Sequence, residues 1–480
     1  MGLNVEKINI GGNQWLKYKG KEGQDVYVAM FMIDQNKLLG KFVDESSYDL
    51  LVDEDADFYL PPARDVTKDT ASLETLIESL TESDIAFKFR KNVFTEAEQE
   101  GAFEGLYSAA IESNNRGMAA GPREDKSGGR DWVTPFQREI LDYYIASQPP
   151  TLDGSDQIEE IIKKHEIEQE ETRGSVWLRS HVEKEFGTYD FFDIAMERLA
   201  KITIPNAKKY AETLTSTKFI SATSYASPMW SGISGFYGRY PRIPYGRATS
   251  HVEQNRETFE KCYPFARKLD TVFSNILPNR YAAQKTFSDK MDKKFLIGED
   301  TTFTTITVNT TESDRNARCA CHRDAGSLNE GYSNLTVITK DGKNWKGGYL
   351  VTPEVRAAIN VRPGDLLLVD NMRVIHANTP IEAPDSGDKD MLRMSLIFYF
   401  REDMAQLGTY EYETLRRKFV DDRRLNKEHK LWKPFWNGVS PSMWKSQEWY
   451  DYLEDDNGME FLEKYHPQAL VKSSSLGSFF

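Results

Sequence analysis

The chain opens in short runs where apolar and polar residues alternate. Val5-Glu6-Lys7-Ile8-Asn9-Ile10 has a period of two, and Val26-Tyr27-Val28-Ala29-Met30-Phe31-Met32 is a denser apolar run. A period of two marks strands, whose side chains point alternately to two faces. Residues 1–85 therefore read as a β-rich unit, closed by the Pro61-Pro62 turn and an acidic linker containing Thr and Ser. The period then changes. Thr95 and Glu98 have the S/T-x-x-E spacing of a capping box, and Phe103, Leu106, Tyr107, Ala110 and Ile111 fall on one helical stripe. The helix runs into a glycine-punctuated loop that holds Arg116 and Arg123. The charged stretch from Gln157 to Arg173 reads as a solvated helix, so residues 86–215 are expected to form a helical supporting region.

A second stripe, Phe259, Cys262, Ala266, Leu269, Val272, Phe273 and Ile276, predicts a helix over 254–276 with Cys262 in the core. From Thr302 the texture turns to strands: Phe303–Val308, Leu335–Thr339, Gly348–Val351, Asp365–Val369 and Leu392–Phe400. Gly, Pro, Asn and Asp separate these runs, and many short strands so spaced point to a sandwich or barrel. Residues 216–402 are the expected β core of an α+β chain. Residues 403–480 return to helical patterns in which Arg416, Arg417, Lys418, Arg423, Arg424, Lys427, Lys430 and Lys433 interleave with acids and precede Trp436, Trp444 and Trp449. That tail is either an amphipathic helix packing its aromatics inward or a basic lip for nucleic acid.

Composition narrows the class. With 480 residues, the chain holds two to four structural units or one large domain with elaborations. Hydrophobic residues at 39% and charged residues at 28% are ordinary for a soluble protein. No stretch approaches the ~20 apolar residues needed to span a bilayer, and Met1–Ile10 lacks the basic-then-apolar order of an export signal. A cytoplasmic location is expected, and three cysteines make no disulfide framework. Cys319 and Cys321 flank one residue beside a histidine, but no second pair at zinc spacing completes that site. The net charge of −14 sets any nucleic-acid contact in a local basic groove on an acidic body.

The candidate chemistry starts at His322-Arg323-Asp324. On a strand, positions i and i+2 share a face, so the imidazole and the carboxylate can reach one point inside a barrel. His376 follows the turn that ends the Asp365–Asp370 run. Two histidines and one carboxylate make the facial triad of non-haem Fe(II) oxygenases, which leaves positions open for co-substrate and O2. A lone His-x-Asp arises often by chance; its company changes the reading. Arg393 and Ser395 share a face of the long apolar strand that follows, and a buried guanidinium there needs an anion. The far carboxylate of 2-oxoglutarate would be that anion. Between the histidines lie Gly347-Gly348 and Arg362-Pro363-Gly364-Asp365, which lead into a buried strand.

On these residues the segment from Ser231 to Phe400 resembles the oxygenase domain of the nucleic-acid-modifying branch of 2-oxoglutarate/Fe(II) dioxygenases. That branch includes thymine hydroxylases of the J-binding-protein type, the TET 5-methylcytosine oxidases and related phage enzymes. The resemblance is carried by Thr305-Ile306-Thr307-Val308-Asn309, Cys321-His322-Arg323-Asp324-Ala325-Gly326, Ser333-Asn334-Leu335-Thr336-Val337 and Ile375-His376-Ala377-Asn378-Thr379-Pro380. Gly235-Phe236-Tyr237-Gly238 and Gly246-Arg247-Ala248-Thr249 add to it upstream. It implies a double-stranded β-helix, or jelly roll, with Fe(II) on His322, Asp324 and His376. It further implies 2-oxoglutarate held by Arg393 and Ser395, with Asn309 beside them, and O2 as the second co-substrate. The cysteine-rich zinc region of TET enzymes and the separate DNA-recognition domain of J-binding proteins are not recognisable here.

The resemblance implies a DNA base substrate, methyl-bearing thymine or 5-methylcytosine, reached by flipping or from single strands. Arg247, Asn334 and Arg116 are the candidate substrate contacts. Hydroxylation of a small metabolite or a protein side chain is the alternative on the same scaffold, and the acidic charge favours it. A binding module on a dead barrel would have lost one of the iron or 2-oxoglutarate positions, and none is lost. Arg323 should point away from its two neighbours into a salt bridge, and His165, His181, His251, His429 and His466 have no partner at ligand spacing. A phage-encoded chain would work in the host cytoplasm.

Overall fold

A computed structural model describes residues 4–61, 73–111, 119–120, 229–239, 243–312, 317–324, 326–384, 391–430, 432, 438–439 and 446–454. The expected helix over 157–173 and the loop arginines Arg116 and Arg123 lie outside the described residues. The strands before the helical stretch are β1 (Glu6–Ile10), β2 (Asn13–Lys19), β3 (Asp25–Ala29), β4 (Leu50–Val52), β5 (Ala56–Tyr59) and β6 (Ile85–Arg90). Next come β7 (Trp230–Tyr237), β8 (Arg247–Ala248), β9 (Thr305–Glu312), β10 (Ser333–Ile338), β11 (Lys346–Gly347) and β12 (Leu350–Thr352). The last are β13 (Ala357–Ile359), β14 (Leu366–Val369), β15 (Ala377–Asn378), β16 (Ile381–Glu382) and β17 (Leu392–Tyr399).

Among the described residues, one sheet runs β1-β2-β3-β5-β6-β14-β10-β17-β9-β7-β8 and a smaller one runs β15-β12-β13-β4. From β9 onward the chain alternates between them. β9, β10, β14 and β17 lie in the large sheet, while β12, β13 and β15 lie in the small one. Residues 317–322 bridge to Ile381 and His376. The large-sheet neighbours β14-β10-β17-β9 are antiparallel and none is consecutive in the chain. That winding is a double-stranded β-helix, as the resemblance implies.

β17 shows why the pattern folds this way. All eight of its residues are buried, because both faces of the sheet are covered. Leu392, Met394, Leu396 and Phe398 share a core with Leu106, Phe265, Leu269 and Phe273 of the covering helices. Ile397 and Tyr399 face the barrel interior with Val337, Leu367 and Trp345. Alternation therefore turns Arg393 and Ser395 inward too.

Helix α1 (Glu96–Ile111) starts at the expected capping box, with Thr95 N–H donating to Glu98 Oε2 at 2.8 Å. The helix expected over 254–276 is broken into Ser250–Gln254, Arg256–Glu260 and α2 (Tyr263–Ile276). Pro264 has no N–H to continue a helix and starts a new one instead, with Cys262 fully buried at the break.

The first 85 residues do not form a unit of their own. β6 pairs with β14, Leu366 opposite Arg90 through Val369 opposite Phe87, so β1, β2, β3 and β5 extend the jelly roll's large sheet. β4 adds a parallel strand to β13 in the small sheet. The physical reason is the open flank of β14, an apolar strand whose unpaired backbone groups must be covered. The Ala86–Phe89 run supplies the pairing partner across the expected boundary at 85.

Among the described residues, a second compact unit contains 239, 243–246, 407–430, 432, 438–439 and 446–454. Within it, α3 (Tyr410–Leu425) and α4 (Ser446–Glu454) pack Leu415, Phe419, Val420 and Trp449 together. Glu413 is fully buried, paired with Arg239 and accepting from the N–H of Gly246 and Gly408. Arg416 Nε donates to Pro244 O, and Arg423 pairs with Glu448 at 2.9 Å. Two arginines of the basic tail are thus buried structural groups, and the helix is amphipathic. No helix among the described residues is long and apolar enough to cross a membrane.

Candidate active site

His322 and His376 face each other across an isolated antiparallel bridge, each N–H donating to the other's carbonyl at 3.0 Å. The ring centroids lie 4.3 Å apart. The regular strand expected at His322-Arg323-Asp324 is absent. The backbone changes partner within two residues, from His376 at His322 to Asn371 O at Asp324, 2.9 Å away. This change of backbone partner, not the pleat of a strand, brings the carboxylate to the histidines. The segment is held from both sides, by Cys321 N–H on Lys41 O and by Cys319 N–H on Asn378 Oδ1.

One ligand atom from each of His322, Asp324 and His376 lies within 4.8 Å of the others. Asp324 Oδ1 is 3.4 Å from His322 Nε2 and 3.8 Å from His376 Nε2. Each imidazole donates its Nδ1–H to the carbonyl two residues back, Ala320 at 2.7 Å and Val374 at 3.2 Å. That selects the tautomer with Nε2 free, the form that binds a metal. Burial would raise the Asp324 carboxyl. The His322 hydrogen bond, the two imidazoles and the Asn371 amide hold it down at about 2. Burial lowers His376 to about 4, with His322 adding to the effect. His322 is raised, because Asp324 outweighs the burial that opposes it. With its carboxyl held low, Asp324 is a carboxylate at neutral pH, set between the two imidazole rings. Two nitrogens and one oxygen on one side suit a first-row divalent ion with its remaining positions open.

The second cluster lies at the opposite end of β17. Arg393 is 6% exposed, its Nε has no partner among the described residues, and Nη2 reaches only Gly348 O at 3.4 Å. Burial, and then the charge of Arg362, push its pKa down to about 10. Such a group is costly until an anion meets it. Ser395 and Asn309 stand opposite each other in the β17–β9 register, and Asn309 Oδ1 is buried without a partner among the described residues. The structure brings Arg393, Ser395 and Asn309 onto one patch of interior wall.

The substrate candidates fare differently. Asn334 pairs in register with Phe398 and Leu368, both in the helix-covered core, so it faces away from the histidines. Its amide donates to Tyr332 O, which leaves it a structural residue. Its neighbours in sequence carry the resemblance, and alternation alone decides its face. The Arg247 guanidinium lies 4.8 Å from the Tyr237 ring centroid and that of Arg401 5.1 Å from the same ring. Glu402 N–H bonds Gly326 O, two residues past Asp324, so Arg401 lies at the metal end of β17. Arg116 is outside the described residues, and Arg323 is exposed.

Sequence reasoning missed Asn371, whose Nδ2 donates to Asp324 Oδ2 at 2.8 Å. It also missed Glu354, fully buried and accepting from Ile375 N–H beside His376 and from the Gln35 amide. Nothing in spacing marks either. The buried histidine His251, hydrogen-bonded to Ser234 and Ser108, belongs to the core.

Comparison with known proteins agrees with this geometry. Residues 237–402 match the family model described as the oxygenase domain of the 2OGFeDO superfamily (Tet_JBP). The thymine dioxygenase JBP1 of Crithidia fasciculata is 25% identical over 186 residues, 38% of this chain and 21% of that protein. Thymine dioxygenase JBP1-B of Trypanosoma cruzi is 27% identical over 254 residues, 48% of this chain and 29% of that protein. The chain thus spans under a third of the length of these curated relatives. A solved structure of NgTET1 in complex with 5mC DNA aligns over 39% of this chain and 68% of that one, at 15% identity and TM-score 0.31. The matched stretch contains His322, Asp324, His376 and Arg393.

Proposed function

We propose that this protein is an Fe(II)- and 2-oxoglutarate-dependent dioxygenase that hydroxylates the methyl group of a pyrimidine base, thymine or 5-methylcytosine, in DNA. One observation carries the reading: a His-Asp-His set at one end of the barrel interior and, at the other, a buried arginine with no counter-ion among the described residues. The orphaned Arg393 Nε fits a carboxylate, and the N,N,O donor set fits Fe(II). Bound there, Fe(II) with 2-oxoglutarate and O2 would supply the oxidative decarboxylation to succinate and CO2 that drives hydroxylation of a C–H bond.

The chain's own residues do the positioning. His322 and His376 present Nε2 because their Nδ1–H groups are tied to carbonyls. Asn371 orients the Asp324 carboxylate, and Arg393 with Ser395 holds the far end of the co-substrate. A base in a stacked duplex cannot enter a barrel, so the substrate must be flipped out or single-stranded. Arg247, Tyr237 and Arg401 offer it a cationic and aromatic lip. The relatives' names support a base as the substrate. The net charge of −14 supports the other reading, a hydroxylase of a small metabolite or a protein side chain.

The test is anaerobic loading with Fe(II) and 2-oxoglutarate, exposure to O2 with DNA, then nucleoside mass spectrometry. Hydroxymethylated pyrimidine with matching succinate is expected. Unchanged DNA beside metabolite-stimulated turnover would move the substrate to the other reading. Activity that survives chelation or needs no 2-oxoglutarate would sink the proposal.

A further inference from the structure

We propose that the indole N–H of Trp345 donates a hydrogen bond to the carboxylate held by Arg393, which makes Trp345 a second anchor for the far end of 2-oxoglutarate. This rests on the function proposed above and names a residue that no spacing motif picks out.

Trp345 stands just before β11 and is 3% exposed. Its Nε1 is buried with no hydrogen-bond partner among the described residues. A buried tryptophan N–H normally finds an acceptor, since leaving it unpaired is expensive. Arg393 Nε is orphaned in the same way. The two donors converge beside Gly348. A Cβ built on Gly348 would lie 3.2 Å from Arg393 Nε, 3.2 Å from Ile381 Cγ1 and 3.3 Å from Trp345 Nε1. Gly347 and Gly348 have φ of +63° and +67°, a backbone that glycine adopts without cost and that keeps the space clear of side chain.

The charge of the cluster says what fills it. Arg362 lies over the Trp345 ring at 5.3 Å, and Arg393 over the same ring at 5.9 Å. Arg362 spends its donors on the carbonyls of Trp345 and Gly347. Among the described residues neither guanidinium makes an ion pair. Cys319 lies near enough to act on Arg393, but burial pushes its thiol up to about 12, so it remains neutral and is no counter-ion. Two cations and one orphaned N–H around a glycine-cleared space call for an anion with at least two acceptor oxygens. A carboxylate can give one oxygen to Arg393 and the other to Trp345.

The test uses full-length protein loaded with Zn(II) as a diamagnetic stand-in, so no turnover is needed, and 15N-labelled at its tryptophan indoles. The Trp345 signal is identified by its loss in Trp345→Phe, which keeps an aromatic ring under both guanidiniums and deletes the N–H. Trp345→Tyr serves if the first variant does not fold. Titration with 2-oxoglutarate should move that indole resonance, pyruvate should not, and Trp345→Phe should bind 2-oxoglutarate about tenfold more weakly by calorimetry. If the wild-type protein binds 2-oxoglutarate while the Trp345 resonance is still and the variant binds equally well, the inference is overturned and the proposed function stands. If the wild-type protein binds no 2-oxoglutarate, the proposed function fails and takes this inference with it.

Discussion

Arg393→Met should separate the two things a buried, unpaired arginine does. Burial and the neighbouring Arg362 push the Arg393 pKa down to about 10. At about 1.4 kcal/mol per unit, keeping that guanidinium charged costs the co-substrate-free fold about 3 kcal/mol. Methionine has a similar stem and no charge, so it can keep the packing against Trp345 while removing the penalty. The variant is expected to melt at the wild-type temperature or a few degrees above it. The folded-state pKa lies below the unfolded one, so the unfolded chain binds more protons only from about pH 10 upward. The gain should therefore stay flat across roughly pH 6 to 9. Binding should move the other way. Losing a buried charge-assisted pair costs about 3 kcal/mol or more, on the order of a hundredfold in 2-oxoglutarate affinity. Scanning fluorimetry without co-substrate and calorimetry with it read the two effects. A melting temperature lower by about 10 °C with unchanged affinity would show that Arg393 serves the fold and refute the reasoning.

Three further outcomes are expected. Asp324→Asn and His322→Ala should each abolish both the rise in melting temperature on adding Fe(II) or Mn(II) without O2 and the formation of succinate; a variant that keeps either response removes its residue from the metal set. Asn371→Ala should weaken metal affinity about 10- to 100-fold in a competition titration while leaving the metal-free melting curve near wild type, because Asn371 orients Asp324 without ligating; unchanged affinity would count against it. His251 has a pKa lowered by burial to about 4, below its unfolded value, so its contribution is complete above about pH 6.5 and is lost as pH falls toward 4. That amounts to about 3 kcal/mol, and an imidazole titration by NMR with a midpoint above 6 would contradict it.

The site was legible where chemistry follows from residue type and strand alternation. Arg393 and Ser395 face inward because β17 is regular for eight residues, and a period of two cannot then misplace them. Asn334 was a substrate candidate on the resemblance alone, and its register on β10 puts it on the helix-covered face instead. His322 and Asp324 converge although the strand argument for them fails, because the backbone switches partner between the two residues. Asn371 and Glu354 were invisible for a different reason. Their contributions depend on which backbone groups long-range pairing brings near them, and no local pattern encodes that. Trp345 lay in plain view beside Gly347-Gly348, yet only its orphaned N–H distinguishes it from an ordinary core tryptophan.

The β-rich first segment changes meaning for the same reason. Local alternation suggested a unit that could stand alone, but its loops reach the metal-bearing segments. Gly40 N–H bonds Cys321 O and Cys321 N–H bonds Lys41 O, which clamps the residue before His322. Ile33 N–H bonds Glu354 O, and the Gln35 amide reaches both the Glu354 carboxylate and Arg373 O. Glu354 in turn holds Ile375 N–H, next to His376. Both histidines of the candidate centre are therefore positioned from residues 33–41, outside the stretch of 237–402 that matches the oxygenase domain. A barrel cut to that stretch would expose the flank of β14 and lose the outer support of both His322 and His376. Residues 33–41 thus belong to the support of the candidate metal site, although they lie outside the motif that names its ligands.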